Sequence, residues 1–248
     1  IKKDKKSEKN VKDAAENRFT AVKGWGLFSK SGTKIKDILH RGRASVVDVS
    51  VYSHASDAWR VKNLVIGFIA NRLFLERMVS RKIEELEAVE AGHSYFGFVE
   101  KREDEEVPYV WLMLDEAHSA LPKEGETPAT RALVRLLREG RQPGISLVLA
   151  TQQPGEIHPD VMTQSDIVLS HRLTARKDID ALNSMMQSYL SKDIVGYLNN
   201  LPHERGAALI LDDNSERIYP LRVRPRFTWH GGEEPVAVKV KKKALLDL

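Results

Sequence analysis

Two carboxylates stand side by side at the end of an apolar run, in Leu112-Met113-Leu114-Asp115-Glu116-Ala117-His118. A second apolar run, Val148-Leu149-Ala150, ends in Thr151-Gln152-Gln153-Pro154. Open α/β sheets bind their ligands at the C-terminal ends of strands, so these two ends are where chemistry would be placed. Asp115 could hold magnesium through its water shell, and Glu116 could orient or deprotonate a water attacking a γ-phosphate. On the neighbouring strand, Gln152 could sense that phosphate and bond the lytic water. Thr151 joins Asp115 as a candidate cofactor-binding residue. Structural alternatives stay open: Asp115 as a helix cap, Glu116 as a surface acid, and Gln152 as part of the turn around Pro154.

Arg141 follows a helix stop, in Glu139-Gly140-Arg141-Gln142-Pro143-Gly144. Held between glycines, it could reach past its own subunit to a neighbour's transferring phosphate, a contribution often worth ~10³-fold or more in rate. The plainer reading is a cation at a helix C-terminus. Arg172 is a second candidate, with an ion pair inside the fold as its expected role. Arg131, Arg135 and Arg138 share one helix face and are candidates for a DNA or subunit interface. His118 has no partner at metal-ligand spacing and is expected to pack or hydrogen-bond at the start of its helix. The chain contains no Gly-x-x-x-x-Gly-Lys-Ser/Thr loop, so the phosphate-gripping half of a nucleotide site is missing.

The elements that must position these residues are legible from periodicity. Residues 109–114 form a strand apolar on both faces, expected to be a central parallel strand covered by helices. Thr127-Pro128 signals a helix start, Ala132, Leu133, Leu136 and Leu137 its buried stripe, and Gly140 its stop. Residues 145–151 and 167–171 read as buried strands, and residues 207–211 and 216–223 as two more. Helices fit residues 178–190 and 191–200. Upstream, residues 44–51 read as the first clear strand. A long helix fits residues 59–90, with Val61, Leu64, Val65, Phe68 and Ile69 at helical period; its charged half, 76–90, is expected to project into solvent. Residues 99–106 read as an acidic loop. Strands alternating with helices predict an α/β fold, a RecA-like core around a mostly parallel sheet, incomplete on its N-terminal side. The division is 1–40 as a basic segment without clear assignment, 41–226 as the core, and 227–248 as a tail.

Composition narrows the classes. The 248 residues are 42% hydrophobic, ample for a buried core, and carry a net charge of +4. No cysteine is present, which excludes disulfides and thiolate zinc sites and makes a cytoplasmic location the default. No apolar run approaches membrane-spanning length. Charge is uneven: residues 1–43 hold ten Lys, three Arg and five acids, and the tail adds Lys239, Lys241, Lys242 and Lys243. Such blocks suit polyphosphate, or a solvated and frayed terminus at residues 1–12.

With these motifs assembled, the chain resembles the HerA branch of the HerA–FtsK motor superfamily, close to archaeal HerA-type DNA helicases. The likeness rests on residues 112–118, Leu136-Leu137-Arg138-Glu139-Gly140-Arg141-Gln142-Pro143-Gly144 and Leu149-Ala150-Thr151-Gln152-Gln153-Pro154. Residues 160–166, His171-Arg172-Leu173 and 42–48 extend it, for coverage of about 41–226. Asp115 to His118 also spells a DEAH box, but the Ser-Ala-Thr and Gln-x-x-Gly-Arg-x-Gly-Arg motifs of that family are absent. The resemblance implies ATP and Mg2+ as cofactors. It makes Asp115 the magnesium-associated aspartate, Glu116 the catalytic glutamate, Gln152 the sensor and Arg141 a trans-acting arginine finger. It also implies a homo-hexameric ring around double-stranded DNA and a NurA-type nuclease partner in DNA end processing. The missing lysine loop suggests the C-terminal part of a larger ATPase, inactive alone. The alternatives are a non-catalytic interaction module, or a conjugation or secretion motor.

Overall fold

The computed structural model describes residues 9–54, 58–93, 107–186 and 194–228. In chain order the elements are α1 (Lys9–Lys23), α2 (Ile35–Ile38), α3 (Ala58–His93), β1 (Val110–Leu114), α4 (Thr130–Glu139), β2 (Ile145–Leu149), α5 (Pro159–Thr163), β3 (Ile167–His171), α6 (Arg176–Met186), α7 (Ile194–Asn199), β4 (Ala207–Asp212) and β5 (Arg217–Arg222). The expected acidic loop at 99–106 and the lysines of the tail lie outside the described residues. Among the described residues no helix is long and apolar enough to cross a membrane.

The fold is α/β. β1 and β2 pair in parallel, Val110 opposite Ile145 and Leu114 opposite Leu149, with α4 as the crossover between them. Their alternate residues Val110, Leu112, Leu114, Ile145, Leu147 and Leu149 face a core built with α3 and α4, where Leu73, Phe74, Leu121, Leu133 and Leu136 are buried. Each such leucine contributes about 1.5–3 kcal/mol by leaving water. The opposite face differs from expectation, because Trp111 and Met113 are 70% and 68% exposed. Nothing among the described residues covers that face. β3, β4 and β5 form a separate antiparallel sheet, packed on α6 and α7 through Leu182, Ile194, Leu198 and Leu209. Ile167 and Leu169 of β3 are exposed, so this strand is buried on one side only.

Two upstream expectations need correction. Residues 44–51 form no strand; the segment runs as coil into a 3-10 turn, Ser50–His54, and Val46 and Val51 are exposed. Its β-branched residues favour an extended backbone, but among the described residues it has no strand to pair with. The charged half of α3 does not simply project into water either. Arg77 is fully buried and Ser80 nearly so, because Arg77 continues the stripe of Ala70, Leu73 and Phe74 one turn further.

The start of α4 shows how local sequence fixes the frame. The buried Thr127 hydroxyl accepts the Ala129 and Thr130 N–H groups, both at 3.1 Å, and donates to the Ala120 carbonyl at 2.8 Å. This cap ties the helix to the segment that follows the acidic pair.

Candidate functional site

The two strand ends are joined beyond the strands themselves. The Ala150 N–H donates to the Leu114 carbonyl and the Ala117 N–H to the Ala150 carbonyl, each at 2.9 Å. Between these bonds the chain turns sharply at Glu116, whose backbone is left-handed at φ 49, ψ 46. A non-glycine residue there costs roughly 1–2 kcal/mol. The Asp115 carboxylate steadies the turn by accepting the Glu116 N–H at 2.9 Å. The sharp turn lets Glu116 project across to β2 instead of continuing down the chain.

Asp115, Glu116, Thr151 and Gln152 therefore come together. The Gln152 Nε2 donates to Glu116 Oε1 at 2.7 Å. Thr151 Oγ1 hydrogen-bonds His118 Nδ1 at 2.9 Å and accepts the Gln153 N–H at 3.0 Å. His118 Nδ1 lies 3.5 Å from Glu116 Oε2. Glu116 is thus held by an amide on one oxygen and approached by an imidazole on the other, with its side chain 45% exposed. A carboxylate fixed this way and open to solvent can accept a proton from a water on its free side.

His118, expected to pack or hydrogen-bond at the start of its helix, does hydrogen-bond there, and its partner is Thr151 at the end of the neighbouring strand. The turn after Gln152 is anchored as well: Asp178 Oδ1 of α6 accepts the buried Gly155 N–H at 2.9 Å. Nothing in the local sequence announces that bond.

Arg141 is not part of this cluster. It stands before β2, whose first residue is level with the first residue of β1, while Glu116 lies past the far end. Five strand residues rise roughly 16 Å, so Arg141 is out of reach of its own Glu116. Its side chain is exposed and forms no ion pair among the described residues. The arginines of α4 are engaged within the fold. Arg131 pairs with Glu126 at 2.9 Å and Arg135 with Glu139 at 3.1 Å. Arg135 also lies 3.9 Å over the Phe74 ring, and two nitrogens of Arg138 converge on Asp160 Oδ2 at 2.8 and 2.7 Å. Arg172 contacts the His203 imidazole, 2.6 Å to Nε2, where a carboxylate partner was expected.

Among the described residues no group of three or more His, Asp or Glu could hold a metal ion. Asp115, an exposed carboxylate at a strand end, could hold an ion whose other ligands are water and phosphate oxygens, the usual manner of magnesium.

A strand–helix–strand crossover with polar groups gathered past the strand ends is an arrangement that open α/β folds use to bind ligands. No family profile matches the chain. Over 144 residues it is 28% identical to a probable DNA double-strand break repair helicase HerA of Methanocaldococcus jannaschii, covering 55% of this chain and 28% of that protein. Over 133 residues it is 28% identical to a DNA double-strand break repair helicase HerA of Pyrococcus furiosus, covering 50% and 24%. A probable helicase of M. jannaschii is 30% identical over 138 residues, 56% of this chain and 26% of that one. The chain is thus related to the HerA-type P-loop ATPases, and the matched stretch spans about a quarter of the length of these relatives. Among solved structures, the genome packaging NTPase B204 of Sulfolobus turreted icosahedral virus 2 superposes at TM-score 0.38 and 23% identity, over 46% of this chain and 54% of that one. That likeness is partial and bears on no residue.

Proposed function

We propose that this chain supplies the hydrolysis half of an ATP-driven DNA translocase. The carrying observation is the 2.7 Å bond between Gln152 and Glu116, which joins a base candidate on one strand end to a sensor candidate on the next. In this reading Glu116 takes the proton of the attacking water. Gln152 holds the carboxylate until a γ-phosphate competes for its amide, and Thr151 and His118 keep the two ends in register. A bound magnesium nucleotide, held by Asp115 with Thr151 nearby, would supply the electrophilic phosphate. The sequence contains no lysine loop, so the β- and γ-phosphates would be gripped by residues outside this chain. Arg141, out of reach of its own site, would act on a neighbouring subunit in a homo-hexamer.

DNA as the partner class is supported by two relatives, named as a probable and as a DNA double-strand break repair helicase, and by the basic residues 1–43. Duplex DNA would be held by its backbone with little base preference, and a NurA-type nuclease would be the partner in end processing. A non-catalytic interaction module is the second reading, favoured by the missing lysine loop. ATP turnover by the full-length gene product decides between them. Glu116→Gln should abolish hydrolysis while sparing ATP binding, because it keeps the shape and removes the base. Hydrolysis undiminished in that variant would refute the motor assignment of Glu116; absence of ATP binding by the full-length wild type would favour the module.

A further inference from the structure

We propose that Arg77 is a positioning residue for Arg141, a buried guanidinium that sets the angle at which the trans-acting arginine leaves the subunit. The proposal rests on the reading of Arg141 given above, and on geometry at the end of β1 and β2 opposite the carboxylates. Arg77 lies on the core stripe of α3 with its side chain fully shut off from water. Its Nε donates to the Pro143 carbonyl at 2.7 Å, and its Nη1 to Glu84 Oε1 at 2.9 Å and to the Val107 carbonyl. The guanidinium carbon sits 4.7 Å over the Tyr109 ring, whose hydroxyl donates to Glu84 Oε2 at 3.1 Å.

Pro143 belongs to the link 140–144, which joins α4 to β2 and carries Arg141. The link has little freedom. The Gly140 N–H donates to the Leu136 carbonyl at 2.8 Å, the Ile145 N–H to the Gly140 carbonyl at 2.8 Å, and the Gly144 N–H to the Arg141 carbonyl at 3.2 Å. A Cβ on Gly140 would lie 2.3 Å from the Leu136 oxygen. Gly144 has φ +75, and a Cβ there would lie 2.2 Å from the Tyr109 ring. Helix α3, the Tyr109 ring and the link therefore lock together around one guanidinium, while the Arg141 side chain points free.

The energetics favour a geometric role over a stabilising one. A buried guanidinium with a single carboxylate partner is a weak source of stability, and Arg77 Nη2 has no hydrogen-bond partner among the described residues. What such a group supplies is direction: its donors form a rigid planar fork, which lysine cannot reproduce. An arginine acting across a subunit boundary needs that accuracy, since a displacement of about 1 Å can cost ~10²-fold in rate.

The test uses the full-length protein with Arg77→Lys, which keeps the charge and loses the fork. Turnover should fall roughly 10-fold or more at unchanged KM for ATP, because Arg77 lies far from the carboxylate end of the sheet. The defect should act in trans. Mixing Arg77→Lys subunits with Glu116→Gln subunits should restore turnover, and mixing them with Arg141→Ala subunits should not. If Arg77→Lys fails to fold, as read by circular dichroism and mass, Tyr109→Phe removes only the hydroxyl tie to Glu84. It should give the same pattern at about 2–5-fold. Full turnover in the folded variants, or a defect that neither mixture restores, overturns the positioning role while leaving Arg141 in place. Full turnover in Arg141→Ala overturns the trans reading of Arg141 and this proposal with it.

Discussion

Replacing Asp178 by alanine and by asparagine separates its charge from its service as an acceptor. Asp178 stands in the first turn of α6, 7% exposed, and its Oδ1 takes the Gly155 N–H at 2.9 Å. Gly155 lies in the turn that leads away from Gln152, so this one bond pins the Gln152 side of the candidate site to α6. The Gly155 N–H is buried, and water cannot replace the missing partner. In Asp178→Ala the orphaned donor costs roughly 1–3 kcal/mol. The α6 N-terminus also loses an anion worth about 0.3–1 kcal/mol. The combined expectation is about 2.5 kcal/mol. Asparagine keeps an acceptor oxygen of equal reach and gives up only the charge, so Asp178→Asn should cost about 1 kcal/mol or less. Urea unfolding followed by circular dichroism reads both values, with an unchanged slope against denaturant marking a true stability change. Equal costs for the two variants would refute the argument, because the hydrogen bond to Gly155 would then carry none of the effect.

Thr127→Val keeps the volume at the start of α4 but leaves the Ala129 N–H without its acceptor, while the Thr130 N–H keeps the Thr127 carbonyl at 3.2 Å; it should destabilise by about 1 kcal/mol in the same unfolding assay. The Glu84 carboxyl gives a pH signature. Burial pushes its pKa up, but the hydrogen bonds from Arg77, Arg81 and Tyr109 and the charge of Arg77 outweigh this, so it sits below the ordinary range. A lowered folded value means its stabilisation is complete above the unfolded pKa of about 4.3 and is lost as pH falls through the folded value. The stability gap between wild type and Glu84→Gln, measured by melting temperature, should therefore close as the pH is lowered through that range, and a gap that widens would reverse the sign. Arg135→Gln with Arg138→Gln should leave the salt dependence of DNA binding unchanged, because Phe74, Glu139 and Asp160 already occupy those guanidinium groups. A fall in the log–log slope, by about 0.9 for each phosphate no longer neutralised, would show that they touch DNA.

Local pattern is enough to place β1, α4, β2 and the later strands, because an apolar period and a Thr-Pro or Gly boundary act over a few neighbouring residues. It is enough, too, to single out Asp115, Glu116, Thr151 and Gln152, since the end of a buried strand is a position that sequence order alone defines. The bonds that join those residues are not legible there. That Gln152 reaches Glu116, and that His118 bridges Thr151 to the same carboxylate, depends on the parallel register of β1 on β2 and on the left-handed turn at Glu116. Residues 44–51 show the limit from the other side: their valines favour an extended backbone, yet a strand exists only where another strand offers its hydrogen bonds. Arg77 shows it most plainly. Its place on the stripe of Leu73 and Phe74 is in the sequence, but only the packing of α3 against Pro143 and Val107 turns a charged residue inward. The link it meets lies 66 residues further along the chain, and pairings at that separation are set by the assembled core, not by any window of residues.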